Sequence, residues 1–155
     1  EKSTGEDQYR RAIYTYWKRT SPYPTMLSFD GTAREVCLAR RIRTNTPLQA
    51  LATLNDNAFL EMARHLATRM EKEGGEDVAM QISKGYEMTM FHPISKEKLE
   101  ALQKLYNQAV AAFKKDKEKA CEMINNGNDK TDAGKASLIL VANAMLNLDE
   151  FITKN

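Results

Sequence analysis

Glycine and proline are scarce in this sequence, whose 155 residues include 7 glycines and 4 prolines. So few flexible or helix-breaking residues argue against a disordered chain. Hydrophobic residues make up 42% of the chain and charged residues 28%, an ordinary balance for a globular protein. The length fits one domain that buries about two-thirds of its unfolded surface. The composition therefore predicts a packed core.

Cysteine and histidine are also rare: the chain has Cys37, Cys121, His65 and His92. The cysteines form neither CxxC nor CxxCH, which excludes a zinc ribbon and covalent haem attachment within this chain. The histidines fall in different predicted helices and outside any HExxH pattern, which disfavours a metal site or a general base. A disulfide between the two cysteines would need an oxidising compartment and is less favoured than two unpaired thiols. We therefore expect no cofactor in this chain.

Long apolar runs and catalytic signatures are missing as well. The most apolar stretch, SLILVANAMLNLDEFI, is interrupted by Asn143 and Asn147 and by Asp149, whereas spanning a bilayer takes about 20 apolar residues. No nucleophile elbow, catalytic dyad or phosphate-cradling glycine loop appears. A net charge of +2 is too small to indicate a nucleic-acid partner. The sequence thus predicts no membrane span and no nucleic-acid binding, and it favours a protein that is not an enzyme.

Apolar residues recur at helical spacing along most of the chain, and no stretch alternates with the period of a strand. Residues 21–45 carry two prolines and no sustained period, which is typical of an extended connection. The pattern predicts an all-α fold, an irregular helical bundle of six to seven helices with a long extended N-terminal connection, forming a single domain over residues 1–155. Predicted helices cover residues 6–19, 47–55, 57–70, 78–92, 96–113, 117–125 and 133–152, with approximate ends.

Three helix starts are marked by capping residues. Thr46, followed by Pro47 and Gln49, matches an N-cap, a proline at the first helical position and the glutamine of a capping box. The triplet Asn-Asp-Asn at residues 55–57 disfavours a continuous helix, so Asp56 is predicted to cap a new one. Ser95 is the predicted cap of the helix that follows His-Pro.

Two stretches resemble a known family. They are YRRAIYTYWKRTSPYPTMLSFDGTAREVCLARRIRTNTPLQALATLND, residues 9–56, and ANAMLNLDEF, residues 142–151. Both are similar to the C-terminal Planctomycete secreted domain, a family of unknown function. The ungapped motifs RTNTPLQAL and NAMLNLDEF are its most specific parts, and residues 71–135 are less distinctive.

The resemblance implies a module at the end of a large exported bacterial protein, secreted or periplasmic. Such proteins often carry a cytochrome-c-like region, so c-type haem is expected elsewhere in the full-length protein. The sequence begins at Glu1 without an initiator methionine or signal peptide, so we expect it to be the C-terminal piece of that protein. Its expected partners are other domains of the same polypeptide, with an anionic ligand or polysaccharide as a further candidate.

Positive charge is concentrated in the first third of the chain, where residues 1–45 hold nine Lys/Arg against five Asp/Glu. Part of it directly precedes the helix that starts at Pro47, where the free amides could help to dock a carboxylate, sulfate or phosphate. The favoured alternative is that the arginines clamp carboxylates and carbonyls of neighbouring segments. The candidate anion- or partner-binding residues are Arg40, Arg41, Arg43, Thr44 and Asn45.

A second set of polar residues interrupts otherwise apolar helices. Asn143 and Asn147 lie four residues apart, on one face of the last predicted helix, and buried amides need partners. An internal polar network that fixes how helices dock is favoured over a ligand pocket. The candidate network residues are Asn55, Asp56, Asn143, Asn147 and Asp149.

Aromatic residues cluster near the start of the chain, at Tyr9, Tyr14, Tyr16 and Trp17. They could form a platform for a sugar or a protein partner. A core aromatic set is the favoured interpretation.

Two functions are compatible with these features. The favoured one is a non-catalytic interaction or structural module of an exported multidomain protein, with the basic segment as its contact face. The alternative is an accessory domain of an extracellular enzyme or electron-transfer assembly, which binds an anionic substrate through Arg40, Arg41 and Arg43. We further hypothesise that one of these arginines pairs with Asp149 or Glu150, placed near the C-terminal end of the last predicted helix.

Overall fold

The structure, a computed structural model, describes residues 12–14, 16, 18, 20, 24–31, 44, 46–125 and 132–152. This part of the chain contains eight α-helices and no strand, which confirms the predicted all-α class. A 3-10 turn spans Ala12–Tyr14. The helices are α1 (Pro24–Ser28), α2 (Pro47–Asn55), α3 (Asn57–Gly74), α4 (Val78–Met90), α5 (Lys96–Lys115), α6 (Lys117–Ile124), α7 (Ala133–Leu146) and α8 (Asp149–Ile152).

The contacts within the chain divide it into two compact units, Glu1–Ala52 and Thr53–Asn155, with the boundary inside α2. We call them the first unit and the second unit. The organisation as one domain over residues 1–155 stays a prediction.

The core of the second unit is built around α7. Nine of its fourteen residues are buried, and it contacts α3, α4, α5, α6 and α8. A helix that is apolar nearly all round must be surrounded by other helices, which explains this central position. On α3, the fully buried Ala63 and Ala67 join the same core, together with Met70. Tyr86 of α4 and Leu102 of α5 also belong to this core.

The predicted caps are confirmed. The backbone N–H of Ala58 donates to Asp56 Oδ1 at 2.8 Å, so Asp56 is the N-cap of α3 and separates this helix from α2. Lys98 N donates to Ser95 Oγ at 3.4 Å at the start of α5. These side chains accept bonds from amides that have no partner within their own helix.

A tight turn joins α3 to α4. Gly74 ends α3, and a Cβ at this position would lie 2.4 Å from the Cα of Gln81. Gly75 follows with φ 66°, a backbone conformation that glycine adopts without steric cost. The two glycines therefore allow the close approach of the two helices at this end.

Two predictions about the N-terminal region are corrected. Ala12–Tyr14 form a 3-10 turn and Tyr16 is not helical, so the α-helix predicted over residues 6–19 is wrong there. β-branched and aromatic residues, which dominate the stretch AIYTY, lower helix propensity. The short helix α1 interrupts the predicted extended connection, and it begins at Pro24, a favoured residue for a first helical turn.

The last predicted helix, residues 133–152, is two helices. Asn147 is the C-cap of α7, with φ −102° and ψ 2°, and α8 begins at Asp149. Asp149 and Glu150 therefore lie in a first helical turn, where the helix dipole favours negative charge. The premise that they sit at a helix C-terminus is wrong, and the dipole creates no need for an arginine partner.

Candidate functional site

Most of the basic cluster that is predicted to bind an anion or a partner lies outside the described residues. Arg40, Arg41, Arg43 and Asn45 lie outside the described residues. Their role, and the proposed pairing of an arginine with Asp149 or Glu150, stay predictions.

Thr44, the one described member of this cluster, belongs to a polar junction in the first unit. Its hydroxyl donates to Asp30 Oδ2 at 2.5 Å and accepts from Gln49 Nε2 at 3.0 Å. Asp30 adopts φ 55°, a left-handed conformation in which aspartate is enriched. Thr44 is therefore occupied by contacts within the chain.

Gln49 is the centre of this junction and is 1% exposed. Its Oε1 accepts from Thr46 N at 3.1 Å, and Gln49 N donates to Thr46 Oγ1 at 3.3 Å, which confirms the predicted capping box. Its Nε2 also donates to Ser28 O at 2.8 Å, at the end of α1. One side chain thus caps α2 and ties α1 to it. The capping was predictable from sequence spacing, whereas the bond to Ser28 was not.

Two of the candidate network residues, Asn143 and Asn147, bind residues of α2 in the second unit. Asn143 Nδ2 donates to Leu54 O at 3.2 Å, and the hydroxyl of Thr53 donates to Asn147 Oδ1 at 2.5 Å. Asn143 and Asn147, the C-cap of α7, thus both bind the last turn of α2, and an internal network of all the candidate residues stays a prediction. Asn143 Oδ1 is buried and has no hydrogen-bond partner among the described residues.

The other candidate network residues lie at helix ends. Asp56 acts as the N-cap of α3, and Asn55 is exposed at the end of α2. Asp149 is exposed in the first turn of α8. A ligand pocket formed by the asparagines stays a prediction.

A junction that sequence analysis missed holds α8 in place. The Glu150 carboxylate accepts from the ammonium of Lys98 and from the hydroxyl of Tyr86. The ring of His92 packs edge-on against Tyr86, with 5.4 Å between ring centroids. Lys98 and Glu150 are separated by 52 residues, so no local pattern indicates the pair.

The electrostatics of this junction favour fixed protonation states. The hydrogen bond from Lys98 is the main cause that lowers the pKa of Glu150, with a second contribution from Tyr86. The same bond to Glu150 raises the pKa of Lys98. Burial is the main cause that raises the pKa of Tyr86, and its bond to Glu150 adds to it. Near neutral pH the carboxylate is charged, the ammonium is charged and the phenol is neutral, as expected for a structural contact.

The cysteines and histidines are not gathered into a metal site in the described part of the chain. No group of three or more His, Cys, Asp or Glu residues is placed there to hold a metal ion. Cys121 is a half-buried free thiol, and Cys37 lies outside the described residues. Among the helices described, none has both the length and the apolar character needed to cross a bilayer.

Exposed apolar side chains are concentrated in the first unit. Tyr14 and Tyr16 are 73% and 84% exposed, so the core interpretation of the aromatic set is wrong for these two, whereas Tyr9 and Trp17 lie outside the described residues. Among the described residues of the first unit, the only buried one is Gln49, a polar residue. The exposed large apolar residues of this unit, which we call the apolar surface, are Ile13, Tyr14, Tyr16, Leu27, Leu48 and Leu51.

Comparison with known proteins identifies a family and little more. The family model PSD1, described as "Protein of unknown function (DUF1553)", matches residues 1–106. This match spans the first unit and the second unit as far as the middle of α5. No curated protein and no solved structure matches the chain. Because the family model covers more than half of the sequence, the chain belongs to the PSD1 family of proteins of unknown function.

Proposed function

We propose that this chain is a non-catalytic interaction module of an exported multidomain bacterial protein. The apolar surface of the first unit would be its contact face for another domain of the same polypeptide. The observation that carries the proposal is the exposure of Ile13, Tyr14 and Tyr16 together with Leu48 and Leu51, each more than half exposed.

Single exposed apolar residues are common on protein surfaces and need no explanation. The first unit differs because its described residues expose six large apolar side chains and bury none. The described residues of the second unit include fifteen buried apolar residues and four exposed large ones. Concentrated apolar exposure marks surfaces that bind other proteins or domains. The contrast between the units therefore supports a contact role for the first one.

Leu48 and Leu51 are suited to such a contact because they lie on α2, whose start is fixed by hydrogen bonds. They lie three residues apart, on neighbouring positions of one helix face. The capping box and the bond from Gln49 to Ser28 fix the start of this helix. A surface that is ordered before binding loses less entropy on association.

The titratable groups of the Glu150 junction are tuned as expected for a structural contact. General acid–base catalysis works best with a group whose pKa lies near the working pH. In the Glu150 junction, the pKa of the carboxyl group is lowered and the pKa values of Lys98 and Tyr86 are raised, each away from neutrality. This pattern is the opposite of the tuning that a catalytic site needs.

The export, the bacterial source and the position at the C-terminal end of a larger protein are proposed from the resemblance of RTNTPLQAL and NAMLNLDEF to the Planctomycete secreted domain. A secreted or periplasmic location follows from the same resemblance. Haem, if the protein binds it, would belong to another region of the polypeptide. Contacts between domains of one chain resemble transient protein interfaces, which suits a modest apolar surface.

The proposal is tested with the full-length protein, divided into this chain and the remaining polypeptide. Binding of the two parts is measured by calorimetry for the unmodified chain, for Leu48→Ser with Leu51→Ser, and for Met80→Ser. Met80 is 50% exposed on α4 and serves as the control. We expect the leucine variant to bind at least about tenfold more weakly, because buried apolar anchors dominate interfaces.

Equal binding of the leucine variant and the Met80 control would contradict the proposed surface. No binding between the two parts, combined with binding of an anionic polysaccharide by this chain alone, would instead favour the accessory-domain alternative. Circular dichroism of each variant checks that its helices are retained.

A further inference from the structure

A groove in the second unit has no role in the function proposed above. It has a volume of about 660 Å³ and lies between α3, the C-terminal end of α6 and the first half of α7. Ile124 and Ile139 provide apolar lining, while Arg64 and His65 of α3 and Lys135 of α7 provide positively charged or protonatable groups. We propose that this groove binds a small ligand that carries an oxyanion, a carboxylate or a phosphate, beside an apolar body.

The guanidinium of Arg64 is held in place by backbone carbonyls, which do not neutralise its charge. Its Nε donates to Met123 O at 2.7 Å and its Nη2 to Glu122 O at 3.2 Å. These carbonyls lie at the end of α6, where the helix dipole offsets only part of a full charge. Within the described ranges, no carboxylate lies at ion-pair distance from the guanidinium. Arg64 is therefore a positioned cation whose third nitrogen, Nη1, is available to an oxyanion.

Lys135 is available for a second contact. Its Nζ lies 3.9 Å from Glu71 Oε2, the outer limit of an ion pair, and both side chains are about one-third exposed. Such a pair is weak and costs little to rearrange. Among the described residues that line the groove, two are permanently cationic, Arg64 and Lys135, and one carries a carboxylate, Glu61. The lining is therefore positive even when His65 is neutral.

The side chains, not the helix end, would hold the anion. The first amides of α7 are already capped, since Gly134 N and Lys135 N donate to Asp132 Oδ1 at 2.8 and 3.3 Å. The volume lies within the usual range for small-molecule sites, which combine apolar lining with a few polar groups. Ile124 and Ile139 would contact the apolar body of the ligand. Glu61 disfavours a second negative charge at its end of the groove.

The test is titration of the chain with two probes, butyrate and inorganic phosphate, monitored by NMR of the backbone amides at low ionic strength. Butyrate carries one carboxylate on an apolar body, whereas phosphate lacks the apolar body. We expect amide shifts at Arg64, His65 and Lys135 that weaken when salt is added. Butyrate should bind more tightly than phosphate, because its apolar body can contact Ile124 and Ile139. Phosphate binding at least as tightly as butyrate would contradict the apolar part of the proposed ligand.

The variant Lys135→Gln should weaken binding of the preferred probe by about tenfold, as expected for the loss of one charge-assisted hydrogen bond. The control Lys104→Gln removes an exposed positive charge from α5, outside the groove, and should leave binding unchanged. His65→Gln provides a second groove variant that should keep the fold, since the His65 side chain is exposed. Absence of shifts up to roughly 10 mM of both probes, well above a millimolar dissociation constant, would overturn the proposal. Equal losses in Lys135→Gln and Lys104→Gln would also overturn it.

Discussion

Lys98 on α5 and Glu150 on α8 form an ion pair that joins residues 52 positions apart in the sequence. The Tyr86 hydroxyl of α4 binds the same carboxylate. Three helices thus meet at one side chain. The four-residue helix α8 is too short to be stable alone, so its position depends on such tertiary contacts.

The first prediction concerns the pH dependence of this junction. Because the folded pKa of Glu150 is lowered, its contribution to stability is present above the unfolded pKa and is lost as the pH falls through the folded pKa. We expect Glu150→Gln to be less stable than the unmodified chain near pH 7, with a difference that shrinks below about pH 4. Urea denaturation at a series of pH values measures it. A difference that stays constant down to the lowest pH would show that the carboxylate charge is not what stabilises α8.

Local signals in the sequence were sufficient to predict the helix starts. The capping box at Thr46, the cap at Asp56 and the cap at Ser95 each depend on residues within three positions of one another. Such bonds form wherever a helix begins, whatever the rest of the fold does. The central position of α7 was also predictable, because a helix apolar on every side has to be buried.

Features that depend on distant residues were not predictable. The apolar pattern continues through Leu148 and Phe151, so it gave no sign that α7 ends at Asn147. Tyr14 and Tyr16 are aromatic residues of a kind often found in a core, but whether they are buried depends on how the rest of the chain packs. The groove at Arg64 is formed by residues of three helices that are distant in the sequence, so no local pattern indicates it.

The second prediction concerns the cap of α3. Asp56→Ala should lower the free energy of unfolding by about 1 kcal/mol, because the amide of Ala58 loses its acceptor. Asp56→Asn keeps an acceptor oxygen and should retain most of the stability. Thermal and urea denaturation of both variants provide the comparison. If asparagine and alanine were equally damaging, the charge of Asp56 and not its capping bond would be responsible.

The third prediction separates the two roles of Gln49. Gln49→Glu keeps the acceptor of the capping box, since glutamate is as common there as glutamine, but it cannot donate to Ser28 O and brings a second carboxylate close to Asp30. Gln49→Ala removes both functions. We expect both variants to destabilise the first unit, by about 1–3 kcal/mol for the alanine, because several half-buried polar groups each lose a hydrogen bond.

The measurement for Gln49 is hydrogen exchange of the amides in residues 48–52, which reports local opening of this unit. Gln49→Glu should exchange faster than the unmodified chain at neutral pH. Unchanged exchange in Gln49→Glu would mean that the capping box alone holds this helix and that the bond to Ser28 contributes nothing.

The last prediction concerns the bond between Thr53 and Asn147, which ties the last turn of α2 to the end of α7. Thr53→Val removes the donor with little change in shape, and Asn147→Ala removes the acceptor. If the bond stabilises the fold, the two changes together should cost less than the sum of the single changes, with a coupling energy of about 1 kcal/mol. Thr68→Val is the matched control, because the Thr68 hydroxyl donates within its own helix, to Arg64 O at 3.0 Å. When Thr68→Val is combined with Asn147→Ala, the two costs in free energy of unfolding should be additive within about 0.5 kcal/mol.

Urea denaturation of the unmodified chain, the three single variants and the two double variants gives both cycles. Additivity in the Thr53 cycle would show that this bond does not stabilise the fold, and it would leave the bond from Asn143 Nδ2 to Leu54 O unaffected.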